Sequence, residues 1–276
     1  MGQLPCTSLM HRRWKLLLLL ASILLLAIPG SFRWLLLKWE TNPILAGQQL
    51  ARENGCWTCH LPYGSKELGN PGSRWGTVPR FRAGNAMMYA ADVGEIEEFI
   101  SHGAPLSWLA DSKIRQRLER QPIRMPAYGD HFSSGELSDL VAYVAAEEAL
   151  IQPGGDEASA GRTLALRHGC LSCHGVEGSG GQPNPGSMGG FIPGFLGKNF
   201  TDLVRNEQEF QEWVRTGTLK RLESNSVAAF FFRRQKLSMP AYGEALDEVE
   251  LQQLWAWVKA TRSYYSSRKD PIRNQP

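Results

Sequence analysis

The chain has 276 residues, 42% hydrophobic and 21% charged, enough for one large folded domain or two of ordinary size. Its formal charge of +3 is unevenly spread: once nine flanking cations and Asp270 are set aside, residues 39–261 hold 21 basic and 26 acidic side chains, a charge of −5. That body shows no basic face, which argues against nucleic-acid binding, and its acidity favours a basic docking partner.

At the N-terminus, His11-Arg12-Arg13-Trp14-Lys15 precedes an apolar run from Leu16 to Ile28, and Pro29 and Gly30 separate this run from a second apolar stretch ending at Leu37. The first run alone, as a helix, covers only about 20 Å, the size of a signal-peptide core. Leu16 to Leu37 reaches about 33 Å, enough for a hydrocarbon core of about 30 Å with Pro29 tolerated and Arg33 reaching out to the interface. Cleavage after Pro29, Gly30 or Ser31 never places small residues at both recognition positions. Residues 16–37 are therefore expected to be a retained transmembrane helix, with Trp14, Trp34 and Trp39 as interfacial anchors. The basic cluster puts residues 1–15 in the cytoplasm and the remainder on the periplasmic side of the inner membrane. Cys6 is then a spare cytoplasmic thiol.

The chemistry lies in Cys56-Trp57-Thr58-Cys59-His60 and its second copy, Cys170-Leu171-Ser172-Cys173-His174. A Cys-x-x-Cys-His pentapeptide is the attachment signature of c-type haem: two thiols bond the vinyl groups and the adjacent imidazole ligates iron. Two copies use four of the five cysteines. A four-cysteine zinc site or a pair of redox dithiols leaves the histidine after each pair unexplained. Two covalently bound haem c groups are expected.

A shift of 114 residues lays the second half on the first. Gly47 meets Gly161, His60 meets His174, Asn70-Pro71-Gly72-Ser73 meets Asn184-Pro185-Gly186-Ser187, Pro79 meets Pro193 and Tyr143 meets Trp257. This is a tandem duplication of a whole domain, here residues 41–151 and 156–262, followed by a flexible tail, 263–276. Each copy reads as helices between glycine- and proline-rich loops, so the class is all-α. Asn42-Pro43 starts a helix. Asp92-x-x-Glu95, Ser133-x-x-Glu136, Asn206-x-x-Glu209 and Asp247-x-x-Glu250 read as capping boxes, and Gly103 and Gly217 as helix stops. Residues 61–81 and 175–195 are expected to be loops wrapping the haem edge. A short packed helix is expected around Ile114 and Leu118 and around Phe230-Phe231-Phe232, with core packing the expected role of the phenylalanines.

His60 and His174 supply the fifth iron ligand. Met125 and Met239 are the methionines that occupy corresponding positions, each 65 residues after its histidine and each opening a Met-Pro-Ala-Tyr-Gly segment. They are the expected sixth ligands, making the metal set His60, Met125, His174 and Met239. The unmatched His102, His131 and His168 leave bis-histidine ligation as the alternative. A thioether opposite histidine raises the haem potential and closes the iron to substrate, leaving it to exchange electrons. The prolines Pro126 and Pro240 hold the ligand segment extended, and Pro79 and Pro193 place a carbonyl to accept the imidazole N–H or serve a plain turn.

On these motifs the chain resembles the class I dihaem cytochromes c, similar in plan to the cytochrome c4 type and to membrane-anchored dihaem cytochrome subunits. The resemblance covers residues 43–261 and implies that Gly47 packs closely on the helix bearing Tyr143, and Gly161 on the one bearing Trp257. The stretch before each methionine is longer than that pattern. The function expected is a relay of single electrons between a membrane donor and an acceptor, as a redox protein with protein partners or a subunit of a respiratory or photosynthetic complex, without substrate turnover of its own. The alternatives are a dihaem peroxidase or thiosulfate dehydrogenase, in which one iron gives up its distal ligand, and the dihaem subunit of a cbb3-type oxidase.

Overall fold

The computed structural model describes residues 42–61, 67–81, 88–150 and 154–267; the expected anchor 16–37, Cys6 and the end of the tail lie outside them. The described residues are helical and contain no strand, only two isolated antiparallel bridges, Gly69 with Thr77 and Pro183 with Phe191. The fold is all-α. None of the described helices is long and apolar enough to cross a membrane.

In the first half, α1 (Pro43–Glu53) leads through a 3-10 turn at Cys56–Thr58 to α2 (Val93–His102), α3 (Leu106–Ala110), α4 (Ser112–Glu119) and α5 (Ser134–Glu147). In the second, α6 (Asp156–Arg167), α7 (Cys170–His174) and a 3-10 turn at Val176–Gly178 precede α8 (Lys198–Leu203), α9 (Glu207–Thr216), α10 (Lys220–Glu223), α11 (Ser226–Arg234) and α12 (Glu248–Ser267). The region before each methionine thus holds two short helices rather than one. Asp111 and Asn225 explain this: each caps the second helix of its pair by accepting from two backbone N–H groups, an N-terminal signal inside what reads as one helical stretch.

The expected caps form, with one variation. Ser133 with Glu136 and Asp247 with Glu250 are reciprocal capping boxes. Asp92 and Asn206 cap α2 and α9, but their third-position partners reach one residue further back: Glu95 accepts from Ala91 N–H and Glu209 from Arg205 N–H. The same orphan donors of the helix entry are satisfied by a slightly longer reach.

Each half is built on the crossing of its first and last long helices. A Cβ on Gly47 would stand 1.9 Å from the Asp139 carbonyl oxygen and 2.8 Å from Tyr143 Cβ; on Gly161 it would stand 1.9 Å from the Gln253 carbonyl oxygen. Only glycine lets the two backbones meet there. Around the first crossing lie Ile44, Ala51, Leu140, Val141 and Tyr143; around the second, Leu164, Ala165, Leu251, Trp257 and Val258.

All the described residues belong to one compact unit, and the joins between the halves are visible in it. Asn42 caps α1 through its Oδ1, which accepts from Leu45 N–H, while its Nδ2 donates to the Ser179 carbonyl at 2.7 Å, buried. Leu45 packs over Gly181. Leu196 and Tyr265, both from the second half, are buried members of the first half's core. The tail differs from its expectation over 263–267: α12 runs on to Ser267, and Tyr265 is 2% exposed. No glycine or proline interrupts the helix there, and Val258, Thr261 and Tyr265 continue one buried stripe at spacings of three and four.

Candidate functional site

In the first copy, His60, Cys56, Cys59 and Met125 line one cavity of about 830 Å³. Its walls include the apolar side chains Ile96, Phe99, Ile100, Tyr128 and Leu140. The imidazole of His60 is fixed on two sides. Its Nδ1 lies 2.8 Å from the Pro79 carbonyl, so that nitrogen carries the proton and donates; its ring stacks on Phe81 at 5.1 Å and 7°. The tautomer leaves Nε2 as the basic nitrogen. Burial pushes the His60 pKa down, which favours the neutral ring a metal requires.

The second copy repeats this. His174 Nδ1 lies 2.9 Å from the Pro193 carbonyl and its ring leans on Phe195 at 4.8 Å; burial lowers its pKa as well. The carbonyl reading of Pro79 and Pro193 therefore prevails over a plain turn role. Phe195 is wedged edge-on against Trp257 at 5.5 Å, as Phe81 is against Tyr143. Cys170, Met239 and Tyr242 pack on the second core. Cys56, Cys59 and Cys170 are partly buried, Cys173 is exposed, and none of the four is disulfide-bonded. Burial pushes the Cys56 and Cys170 thiols up.

The methionines are partly buried and held by their surroundings rather than by their own side chains. Gly103 and Gly217 end α2 and α9 in the left-handed region, at φ 80° and 77°. A Cβ on them would stand 2.6 Å from the Met125 carbonyl oxygen and 2.4 Å from that of Met239. The methionine segment thus lies directly on the helix end. Two backbone bonds pin it there: Tyr128 N–H to Ile100 and Gly129 N–H to Ser101 in one copy, Tyr242 N–H to Val214 and Gly243 N–H to Arg215 in the other, all at 2.9–3.1 Å.

A further hold comes from a residue that sequence reading noted as a repeat landmark without giving it a role. Buried Asn184 donates its Nδ2–H to the Leu237 carbonyl at 2.9 Å and accepts from Leu237 N–H at 2.9 Å, two residues before Met239. Asn70 does the same to Ile123, two residues before Met125, at 2.9 and 3.1 Å. The side-chain amide mimics a backbone strand pairing. Phe81 and Phe195 were also missed; both pairs share the 114-residue register, which is the signal that would have found them.

The unmatched histidines differ in placement. His131 bonds Asn54 Oδ1 through Nε2 at 3.0 Å, His168 lies edge-on to Tyr242, and exposed His102 is among the residues lining the first cavity. Exposed Met88 and Met188 lie at the surface. Among the described residues no group of three or more His, Cys, Asp or Glu side chains is gathered. The four cysteines therefore do not converge on one tetrahedral zinc-type site.

The donor set of the first copy fits a haem c: two thiols, an oriented imidazole with a free Nε2, a thioether, and an apolar cavity within the range of small-molecule sites. In the second, Trp257 Nε1, buried beside Phe195, has no hydrogen-bond partner in the protein, a donor a bound group could use. No protein-family model and no curated protein matches the chain.

Proposed function

We propose that the chain is a membrane-anchored periplasmic dihaem cytochrome c that relays single electrons between a membrane donor and an acceptor. The observation that carries this reading is the matched treatment of His60 and His174: each donates its Nδ1–H to a carbonyl, is backed by a phenylalanine, and follows its cysteine pair directly. Two covalently bound haem c groups would supply reversible one-electron chemistry at iron. The protein's own part is to hold the ligands still. Cys56 and Cys59, and Cys170 and Cys173, tether; the imidazoles and the pinned methionine segments limit reorganisation between oxidation states; and the apolar walls exclude water. Residues 16–37 would anchor the chain in the inner membrane with the haem domains in the periplasm.

Expression with a haem-attachment system, followed by reduced-minus-oxidised spectroscopy, tests this. The expected result is two low-spin c-type haems per chain, both showing the methionine–iron charge-transfer band when oxidised. A high-spin resting component, or peroxide turnover, would transfer support to the enzyme reading.

A further inference from the structure

The Phe230-Phe231-Phe232 run does not go wholly into the core. Phe232 turns inward, its ring edge-on to Trp213 at 6.2 Å and packed on the small cluster of Leu219, Leu222 and Ala228. Phe230 is 47% exposed and Val227, one turn before it, is 60% exposed. Arg234 lies over the Phe230 ring at 5.2 Å. Val227, Phe230 and Arg234 share one face of α11 by their spacing. That helix ends against the second site: Lys236 N–H donates to the Pro185 carbonyl, and Leu237 is the residue clamped by Asn184. Leu237 and Met188, on the two sides of this seam, are 49% and 55% exposed.

The internal repeat supplies the control. At the positions of Val227, Phe230 and Met188 the first copy carries Lys113, Gln116 and Arg74. Both copies hold their methionine segment by the same asparagine clamp, so holding it does not need this apolar surface. The first copy also leaves large apolar side chains in water, Trp75 at 50% and Met88 at 41%, but its α4 carries Lys113 and Gln116 where α11 carries Val227 and Phe230; an apolar helix face before the methionine segment is peculiar to the second copy and marks a contact surface. The helix and the segment after it carry cations: from Ser224 to Gly243 the charged side chains are Arg233, Arg234 and Lys236, with exposed Glu223 and Glu244 just beyond the ends, and from Gly178 to Thr201 there is no acid.

We propose that this face of α11 and the Asn184–Met188 seam is the docking surface of an acidic electron-transfer protein, with electrons passing to or from it through the second site. The proposal rests on the haem reading above. Electron transfer falls steeply with distance, so a redox partner gains by docking beside the segment that carries Met239, whereas a lipid surface gains nothing from that position. An apolar centre flanked on one side by Arg233, Arg234 and Lys236 suits a partner with an apolar centre beside carboxylates, a pairing that speeds encounter and releases quickly.

The test uses the full haem-loaded chain with two probes, an acidic blue-copper protein and a basic monohaem cytochrome c. Wild type should exchange electrons faster with the acidic probe and slow as salt is added. Arg233→Glu with Arg234→Glu should cut that rate by about tenfold or more and reverse its salt dependence. Val227→Lys with Phe230→Gln, the residues of the first copy, should slow it about three- to tenfold even at high salt. Ascorbate, which needs no docking surface, should reduce every variant at the wild-type rate. Rates with the acidic probe within about twofold of wild type in both double variants, or preference for the basic probe, would overturn the proposal. So would loss of binding to phosphatidylcholine–phosphatidylserine vesicles with the probe rate retained, which would make this a lipid-facing surface. Absence of haem absorbance from wild type would instead sink the haem reading, and the docking surface is then judged alone by whether Arg233→Glu with Arg234→Glu weakens binding of the zinc-substituted blue-copper probe.

Discussion

Replacing Asn184 by leucine tests whether the methionine segment is held by this side chain; the number and branching of side-chain heavy atoms are kept and the amide is lost. Two hydrogen bonds of 2.9 Å vanish, and the Leu237 N–H and carbonyl lose their partner. Each bond is worth about 1 kcal/mol net, with more where a polar group is left unsatisfied. Asn184 is 3% exposed, whereas Leu237 is 49% exposed and its backbone has some access to water. The expected cost is therefore about 2–3 kcal/mol by urea denaturation. If the proposed haems are bound, the same variant should weaken the methionine–iron charge-transfer band of the second while leaving that of the first intact, because Asn70 clamps its own segment independently. A cost below about 0.5 kcal/mol with an unchanged band would refute the clamp.

Gly161→Ala drives a methyl into the Gln253 carbonyl and should cost about 3 kcal/mol or more, since two helix backbones must separate; Gly47→Ala should behave alike, both read by thermal unfolding. Arg162→Met leaves the 2%-exposed Glu177 carboxylate, three residues after His174, without its bidentate guanidinium; about 3–5 kcal/mol of stability should disappear, and recovery in the double variant with Glu177→Gln would show that the orphaned charge is the cause. Arg221 beside Glu209 holds that carboxyl down at about 2. Its folded pKa lies below the unfolded value of 4.5, so the stabilisation is present above pH 4.5 and drains away between about 4.5 and 2; solvent screening limits it to about 1 kcal/mol, and Glu209→Gln should flatten that limb of the stability–pH curve.

Much of this architecture could be read from residues because the duplication prints every landmark twice. Asn42-Pro43, the serine and aspartate caps and the terminal glycines act within four residues of themselves, and local rules locate them. The imidazole-to-proline bond was also legible, since Pro79 and Pro193 keep the same distance from their histidines. What escaped acts across long separations: Asn70 reaches Ile123 and Asn184 reaches Leu237, 53 residues on, through a side chain that in sequence looks like a turn former. The split fate of the phenylalanine run escaped because three neighbours on a helix point to different sides, and which side meets solvent is set by tertiary packing. Tyr265 escaped because its neighbours belong to the other copy.

That last contact bears on the order in which the molecule can be made. Synthesis delivers the first copy's helices well before α12, yet Tyr265 and Leu196 complete its core and Ser179 receives the Asn42 amide. A nascent first copy is thus missing part of its own interior until the second has nearly been made. Under the proposed haem reading, that interval is when Cys56 and Cys59 would be most accessible to thiol ligation. Duplication in this chain has left the first copy's interior dependent on residues of the second, a dependence the second core does not return.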